Sequence, residues 1–113
     1  MHELAIAQSI VQLAEQNARE NQAQEIEELE LEIGSLAGVE IASLEFALQC
    51  AVKDTMLNNA RIIRHDIRAE GRCGDCETRF FVDTLFSPCP RCGSYAVNIL
   101  HGKELRIKSI IVK

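Results

Sequence analysis

Aromatic residues are scarce in this chain: no tryptophan, one tyrosine and four phenylalanines. A nucleic-acid surface stacks bases on rings and clusters lysine and arginine, and neither feature is present, so nucleic acid is not an expected partner. No apolar run is long enough to span a bilayer, and no charged-then-apolar leader opens the chain. A cytoplasmic protein that is neither membrane-embedded nor exported is therefore expected. Repeats and low-complexity segments are missing. So are a nucleophile–base pair and a phosphate-cradling loop, which argues against an enzyme. Basic residues are rare in the first half: residues 1–60 hold eleven acids and two bases, whereas residues 61–113 hold six acids and ten bases.

The abundant feature is cysteine. Cys73-Gly74-Asp75-Cys76 and Cys89-Pro90-Arg91-Cys92 are matched knuckles carrying four of the five cysteines. Two thiolates two residues apart close on one tetrahedral cation without backbone strain, and a second pair completes a four-sulfur shell suited to zinc, or less often iron. Gly74 and Gly93 permit tight turns, while Pro88 and Pro90 stiffen the second knuckle. Redox-active pairs of the thioredoxin type occur singly at a strand–helix junction, which leaves a thiol redox protein as a weaker reading. The spacer has room for one hairpin, with Arg79-Phe80-Phe81-Val82 as its first strand. A chain of 113 residues buries one modest core, and a small satellite lobe needs a staple such as a metal. Four thiolates on zinc add about −2 to the second half of the chain.

Leu4, Ala7, Ile10, Val11, Ala14 and Ala18 recur at helical spacing from about residue 3, with Glu3 where the helix dipole favours an acid. Leu29, Leu31 and Ile33 alternate with Glu28, Glu30 and Glu32 as in a strand with one solvated face. Beyond a turn bracketed by Gly34 and Gly38, Ile41, Leu44, Ala47, Leu48, Ala51 and Val52 mark a second helix, with Cys50 read as a small core residue. Residues 60–69 read as a polar edge strand in which His65 is a surface residue, and residues 105–112 as a strand dense in β-branched side chains. That last strand is expected to return to the sheet formed by residues 27–33 and 60–69. The fold class is thus α+β: two helices packed on a small mixed three-stranded sheet, with an inserted zinc-ribbon-like lobe. The domains expected are residues 1–70, with 103–113 returning as the last strand, and a zinc-binding domain at 71–102.

Met1-His2-Glu3 is a second candidate metal site. The Met1 amine, the His2 amide and the His2 imidazole close fused chelate rings on one ion, with the Glu3 amide or an outside group completing a plane that suits nickel or copper. The plain alternative is a frayed terminus. This opening, followed by Ile33-Gly34-Ser35-Leu36-Ala37-Gly38-Val39-Glu40 and by knuckles ending Cys89-Pro90-Arg91-Cys92-Gly93-Ser94, resembles the HypA/HybF family of hydrogenase nickel-maturation factors along essentially the whole chain. The resemblance implies a nickel metallochaperone that is not an enzyme, with Ni(II) as transient cargo at Met1, His2 and Glu3, His2 foremost. It implies structural Zn(II) on Cys73, Cys76, Cys89 and Cys92. It also implies as partners a nickel-binding GTPase (HypB) and the large subunit of a nickel-iron hydrogenase, with a homodimer among the assemblies left open. The chain departs from the family's habit at Arg68-Ala69-Glu70-Gly71, where an apolar residue or proline is usual.

Two more residues are candidates beside that nickel site. Glu40, at the mouth of the second helix, is placed to offer an outer carboxylate, against the ordinary reading of an acid favoured there by the helix dipole. His101, at the junction where the lobe rejoins the sheet, is a candidate extra donor, against a turn histidine with no ligand role. The alternative function is a zinc-ribbon module acting on protein or RNA, its amino terminus inert.

Overall fold

The structure is a computed structural model and describes residues 2–113. Helix α1 spans Glu3–Glu20, as its periodicity predicts, and buries Ala7, Ile10, Val11, Ala14 and Ala18 along one stripe. It ends because Gln22 takes a left-handed φ of 58°, and the last carbonyls are satisfied by Gln22 N–H to Arg19 O and Ala23 N–H to Ala18 O, each 2.9 Å. Strand β1 (Ile26–Gly34) follows, then helix α2 (Ile41–Ala51) and strand β2 (Arg61–Ile67). The lobe strands are β3 (Glu70–Cys73), β4 (Arg79–Phe81) and β5 (Val97–His101), before the final strand β6 (Leu105–Val112). One sheet has the order β2-β1-β6, so the last strand does return beside the first, and the lobe is inserted between β2 and β6. Among the described residues no helix is long and apolar enough to cross a membrane.

The chain packs as two compact units. The first comprises Met1–Leu31, Val39–Arg64 and Arg106–Lys113, and the second Glu32–Gly38 and His65–Leu105. In the first unit Ile26, Leu29, Leu31, Leu44 and Leu57 are almost completely buried. At roughly 1.5–3 kcal/mol for each large aliphatic side chain removed from water, this core is the unit's main source of stability.

In the second unit, β3 pairs antiparallel with both β4 and β5. Three backbone segments also meet in that unit. Gly34 N–H donates to Glu104 O, Ser35 N–H to Ile67 O and Leu36 N–H to Gly102 O, at 2.7, 2.8 and 2.7 Å. The Ser35 hydroxyl accepts the Ala69 N–H at 2.9 Å. The crossing is so close that a Cβ on Gly34 would collide with the backbone of Gly102, and one on Gly102 with Ala69. The residues that depart from the family's habit, Arg68-Ala69-Glu70-Gly71, run into β3, whose register with β5 shifts between Glu70 and Gly71, and Ala69 is fully buried.

Three expectations are corrected. Arg79–Phe81 does not open a hairpin inside the spacer: it pairs back onto β3, with Arg72 opposite Arg79, so the first knuckle is itself the hairpin turn. Cys50 is exposed, not in the core. It lies about 200° around the helix from Leu48 and about 60° beyond Ala47, outside the edge of the stripe of Leu44, Ala47 and Leu48. Glu28, Glu30 and Glu32 are half-buried, not solvated, and Glu30 accepts the Ser109 hydroxyl from β6 at 2.6 Å. The charge asymmetry between the sequence halves also does not survive folding. Acidic β1 lies between β2, which carries Arg61 and Arg64, and β6, which carries Arg106 and Lys108. The first unit holds ten acids and seven bases and the second seven and five, net −3 and −2.

Candidate metal centres

The first centre is built by the lobe's two turns. Cys73 ends β3, and its N–H donates to Thr78 O at 2.9 Å, closing the hairpin across the first knuckle. Within that turn the N–H groups of Asp75 and Cys76 point at the Cys73 sulfur at 3.4 and 3.5 Å. The two knuckles share a backbone device: Glu77 N–H donates to Cys73 O at 3.0 Å and Gly93 N–H to Cys89 O at 2.8 Å. Both residues need a left-handed φ, 64° at Glu77 and 77° at Gly93. The second knuckle fills the position with glycine, which adopts this conformation freely, and the first with glutamate, which Arg72 holds in an ion pair. The Ser94 hydroxyl ties the knuckles together by donating to the Asp75 carboxylate.

This folding brings all four predicted cysteines to one point. Their sulfurs lie within 4.8 Å of one another, with Cys73–Cys92 at 3.5 Å and Cys76–Cys89 at 3.6 Å. A tetrahedral ion with metal–sulfur bonds of about 2.3 Å requires sulfurs about 3.8 Å apart, so the donor set fits zinc without rearranging the backbone. Cys73 and Cys89 are buried, Cys76 is half-buried and Cys92 is exposed.

Electrostatics agree with a cation site. The Thr78 hydroxyl, 3.2 Å from the Cys76 sulfur, and then the Thr78 amide favour that thiolate and lower it to about 6. Cys73 is also lowered, first by the Cys76 amide. Cys92 behaves oppositely. The Ser94 amide favours its thiolate, but donation to the Cys73 sulfur, partial loss of solvent on the cluster side and donation to Cys76 and Cys89 outweigh this and push it up to about 12. A cluster that ionises some thiols and withholds others carries more thiolate than it can neutralise, which is what a divalent ion relieves. Thr78 and Ser94 were not singled out in the sequence; a hydroxyl two residues past the last cysteine of each knuckle was the available signal.

The second centre is the start of α1. Met1 lies outside the described residues. His2 is exposed and occupies the N-cap position, its carbonyl accepting the first helical bond from Ile6 N–H at 2.9 Å. Amides at a helix start have no intrahelical acceptor, so those of His2 and Glu3 are free of the helix ladder. Glu3 is 8% exposed, and its Oε2 accepts the Glu40 backbone N–H at 3.1 Å. That amide first, then those of Glu3 and His2, hold its carboxyl below the ordinary carboxylate range. The structure thus brings Glu40 to the amino-terminal region through its backbone. Its side chain is engaged elsewhere, Oε1 capping α2 by accepting Ser43 N–H at 3.0 Å.

His101 belongs to the second unit, where its Nε2 lies 3.0 Å from Glu70 Oε1. Arg79 reaches the same carboxylate through Nε and a terminal nitrogen at 3.1 and 2.8 Å. Arg79 first and His101 second lower the Glu70 carboxyl. Glu70 stood out in the sequence only as part of the departing segment; its partners, nine and thirty-one residues away, could not be read there.

Two helices on a three-stranded sheet, with an inserted four-cysteine lobe and a helix start whose first amides stay outside the helix ladder, define a small metal-handling protein. The profile of the family described as HypA, hydrogenase/urease nickel incorporation metallochaperone, matches residues 1–112, and the chain belongs to that family. It is similar to hydrogenase maturation factor HypA of Parabacteroides distasonis, 63% identical over 113 residues covering 100% of this chain and 98% of that one. The corresponding protein of Prosthecochloris aestuarii is 44% identical, with both chains covered completely. Among solved structures, the nickel metallochaperone HypA from Helicobacter pylori superposes with a TM-score of 0.70 at 28% identity, covering 99% of this chain and 97% of that one. A second HypA solution structure gives 0.73 at the same identity, covering 100% and 97%.

Proposed function

We propose that this chain binds Ni(II) through the Met1 amine, the His2 amide and imidazole and the Glu3 amide, and delivers it during maturation of a nickel-iron hydrogenase. The observation that carries this reading is the helix start, where exposed His2 stands at the N-cap position of α1 and the buried Glu3 carboxylate accepts the Glu40 amide. A planar set of nitrogens suits nickel and keeps it exchangeable, and delivery requires exchange. The work is transport, not catalysis, and is placed in the cytoplasm. Structural zinc is assigned to Cys73, Cys76, Cys89 and Cys92, whose sulfurs have the required spacing. In this reading residues 1–70 with 103–113 form the nickel-binding domain and residues 71–102 the zinc-binding domain. Glu40 serves as an outer residue of the nickel site and His101 as an auxiliary donor.

The partners are the nickel-binding GTPase HypB and the hydrogenase large subunit, with the chain acting as a monomer or homodimer. The test is a transfer assay from the nickel-loaded chain to the purified large subunit. His2→Ala is expected to bind both partners and transfer no nickel; transfer at the wild-type rate would overturn the reading.

A further inference from the structure

The second unit exposes Phe81, Tyr95 and Leu100 as well, but the loop after β4 carries two adjacent exposed apolar side chains. Val82 is buried, and beyond it Leu85 is 51% and Phe86 88% exposed. Phe86 is held at a φ of 65°, a left-handed conformation that is strained for a bulky residue. The Thr84 and Ser87 hydroxyls lie 3.0 Å apart across the tip, and Ser87 also donates to Thr84 O at 2.8 Å. The base of the loop is braced by Arg68, whose guanidinium stacks 3.9 Å from the Phe81 ring centroid and lies 3.9 Å from Asp83 Oδ1. Two apolar side chains are thus displayed on a turn clamped at tip and base. They serve neither the core nor the cysteine site.

We propose that Leu85 and Phe86 form a docking tip for a folded partner protein that offers an apolar pocket rimmed by basic side chains. A large aromatic on a turn whose backbone is already fixed is the kind of residue on which interface energy concentrates, because little backbone freedom remains to be lost. Charge selects the occupant. The Asp83 side chain beside the tip is exposed but paired with Arg68, so the charge that counts is that of the whole unit, which holds seven acids and five bases. A divalent ion on four thiolates would leave about two further negative charges there. An anionic lipid surface would repel such a lobe, and so would a second copy of it, whereas a basic rim complements it.

The test compares Phe86→Gly and Phe86→Asn with wild type, since both residues suit the left-handed backbone and remove the ring without threatening the fold. The choice of probes rests on the delivery reading: purified nickel-binding GTPase, purified hydrogenase large subunit, and phosphatidylglycerol vesicles. Both variants should lose at least about tenfold in affinity for one of the two proteins, with zinc content and amino-terminal nickel stoichiometry unchanged. Unaltered affinity for both proteins would overturn the proposal, as would a wild-type chain that binds neither. A ring required instead for vesicle binding or self-association would also overturn it. Loss of partner binding in a chain that takes up no nickel at its amino terminus would sink the delivery reading and leave the docking tip standing.

Discussion

The Glu3 carboxylate accepts the Glu40 backbone N–H at 3.1 Å, so residues 37 positions apart in sequence fasten the start of α1 to the start of α2. The contact is partly buried, and the amides of Glu3 and His2, which nickel would have to deprotonate, also favour the charged form of this carboxylate. Glu3→Ala is expected to loosen this latch and weaken nickel binding, while Glu3→Gln, which keeps a neutral acceptor, should fall between alanine and wild type. Nickel titration of the three proteins, with circular dichroism to check helix content, measures this. Equal affinities would show that the latch is structural only.

For the lobe, few apolar residues are buried apart from Val82 and the cysteines, so the metal should supply most of its folding free energy, on the order of 10 kcal/mol for a four-ligand zinc site. Cys76→Ser, or zinc removal by a chelator, is expected to collapse amide-exchange protection across residues 71–102 and leave the helices of the first unit protected. Unchanged protection in the lobe after complete zinc removal would disprove the structural role.

Gly102 has a φ of 115°, and a Cβ there would strike Ala69. Gly102→Ala should therefore cost about 1–3 kcal/mol from backbone strain alone, with the steric clash added. Denaturant unfolding of the zinc-loaded protein reads the loss directly.

Glu70 gives the pH dependence. Its carboxyl is depressed below the usual 4.5 by Arg79 and then by His101, so its stabilising contribution is present above the unfolded value and lost as pH falls through the depressed one. Because both Glu70 and Arg79 are partly solvated, the effect should be modest. Glu70→Gln is expected to be less stable than wild type at neutral pH, with the difference shrinking in acid. A gap that stayed constant with pH, measured by unfolding at matched zinc occupancy, would assign the loss to packing.

Much of this architecture was legible because its signals are local. The 3.6-residue recurrence from Leu4 to Ala18 marks α1, the alternation around Leu29, Leu31 and Ile33 marks β1, and the paired knuckles mark the four-cysteine cluster. What escaped depends on partners distant in sequence. The pairing of Arg79–Phe81 with β3, the half-burial of the β1 glutamates and the neutralising flank of β2 and β6 are all set by which strands become neighbours. Cys50 shows a different limit: α2 is apolar over more of its circumference than it buries, and Phe46 remains 67% exposed on it. Periodicity alone did not say which side faced inward. Of the Glu3–Glu40 latch the sequence offered only a place for Glu40 beside the amino terminus; that its backbone N–H makes the contact was hidden, because a helix-start acid is ordinarily explained by the helix dipole.

The central claim is tested most directly by calorimetric titration of nickel into the zinc-loaded, untagged chain beside His2→Ala and a form with one residue fused ahead of Met1. Specific nickel binding is expected only in the untagged wild type. It should weaken as pH falls, because protons compete for the same amine, amide and imidazole nitrogens, while zinc stays bound. Wild-type stoichiometry and affinity in either altered chain would place the nickel site elsewhere and contradict the account.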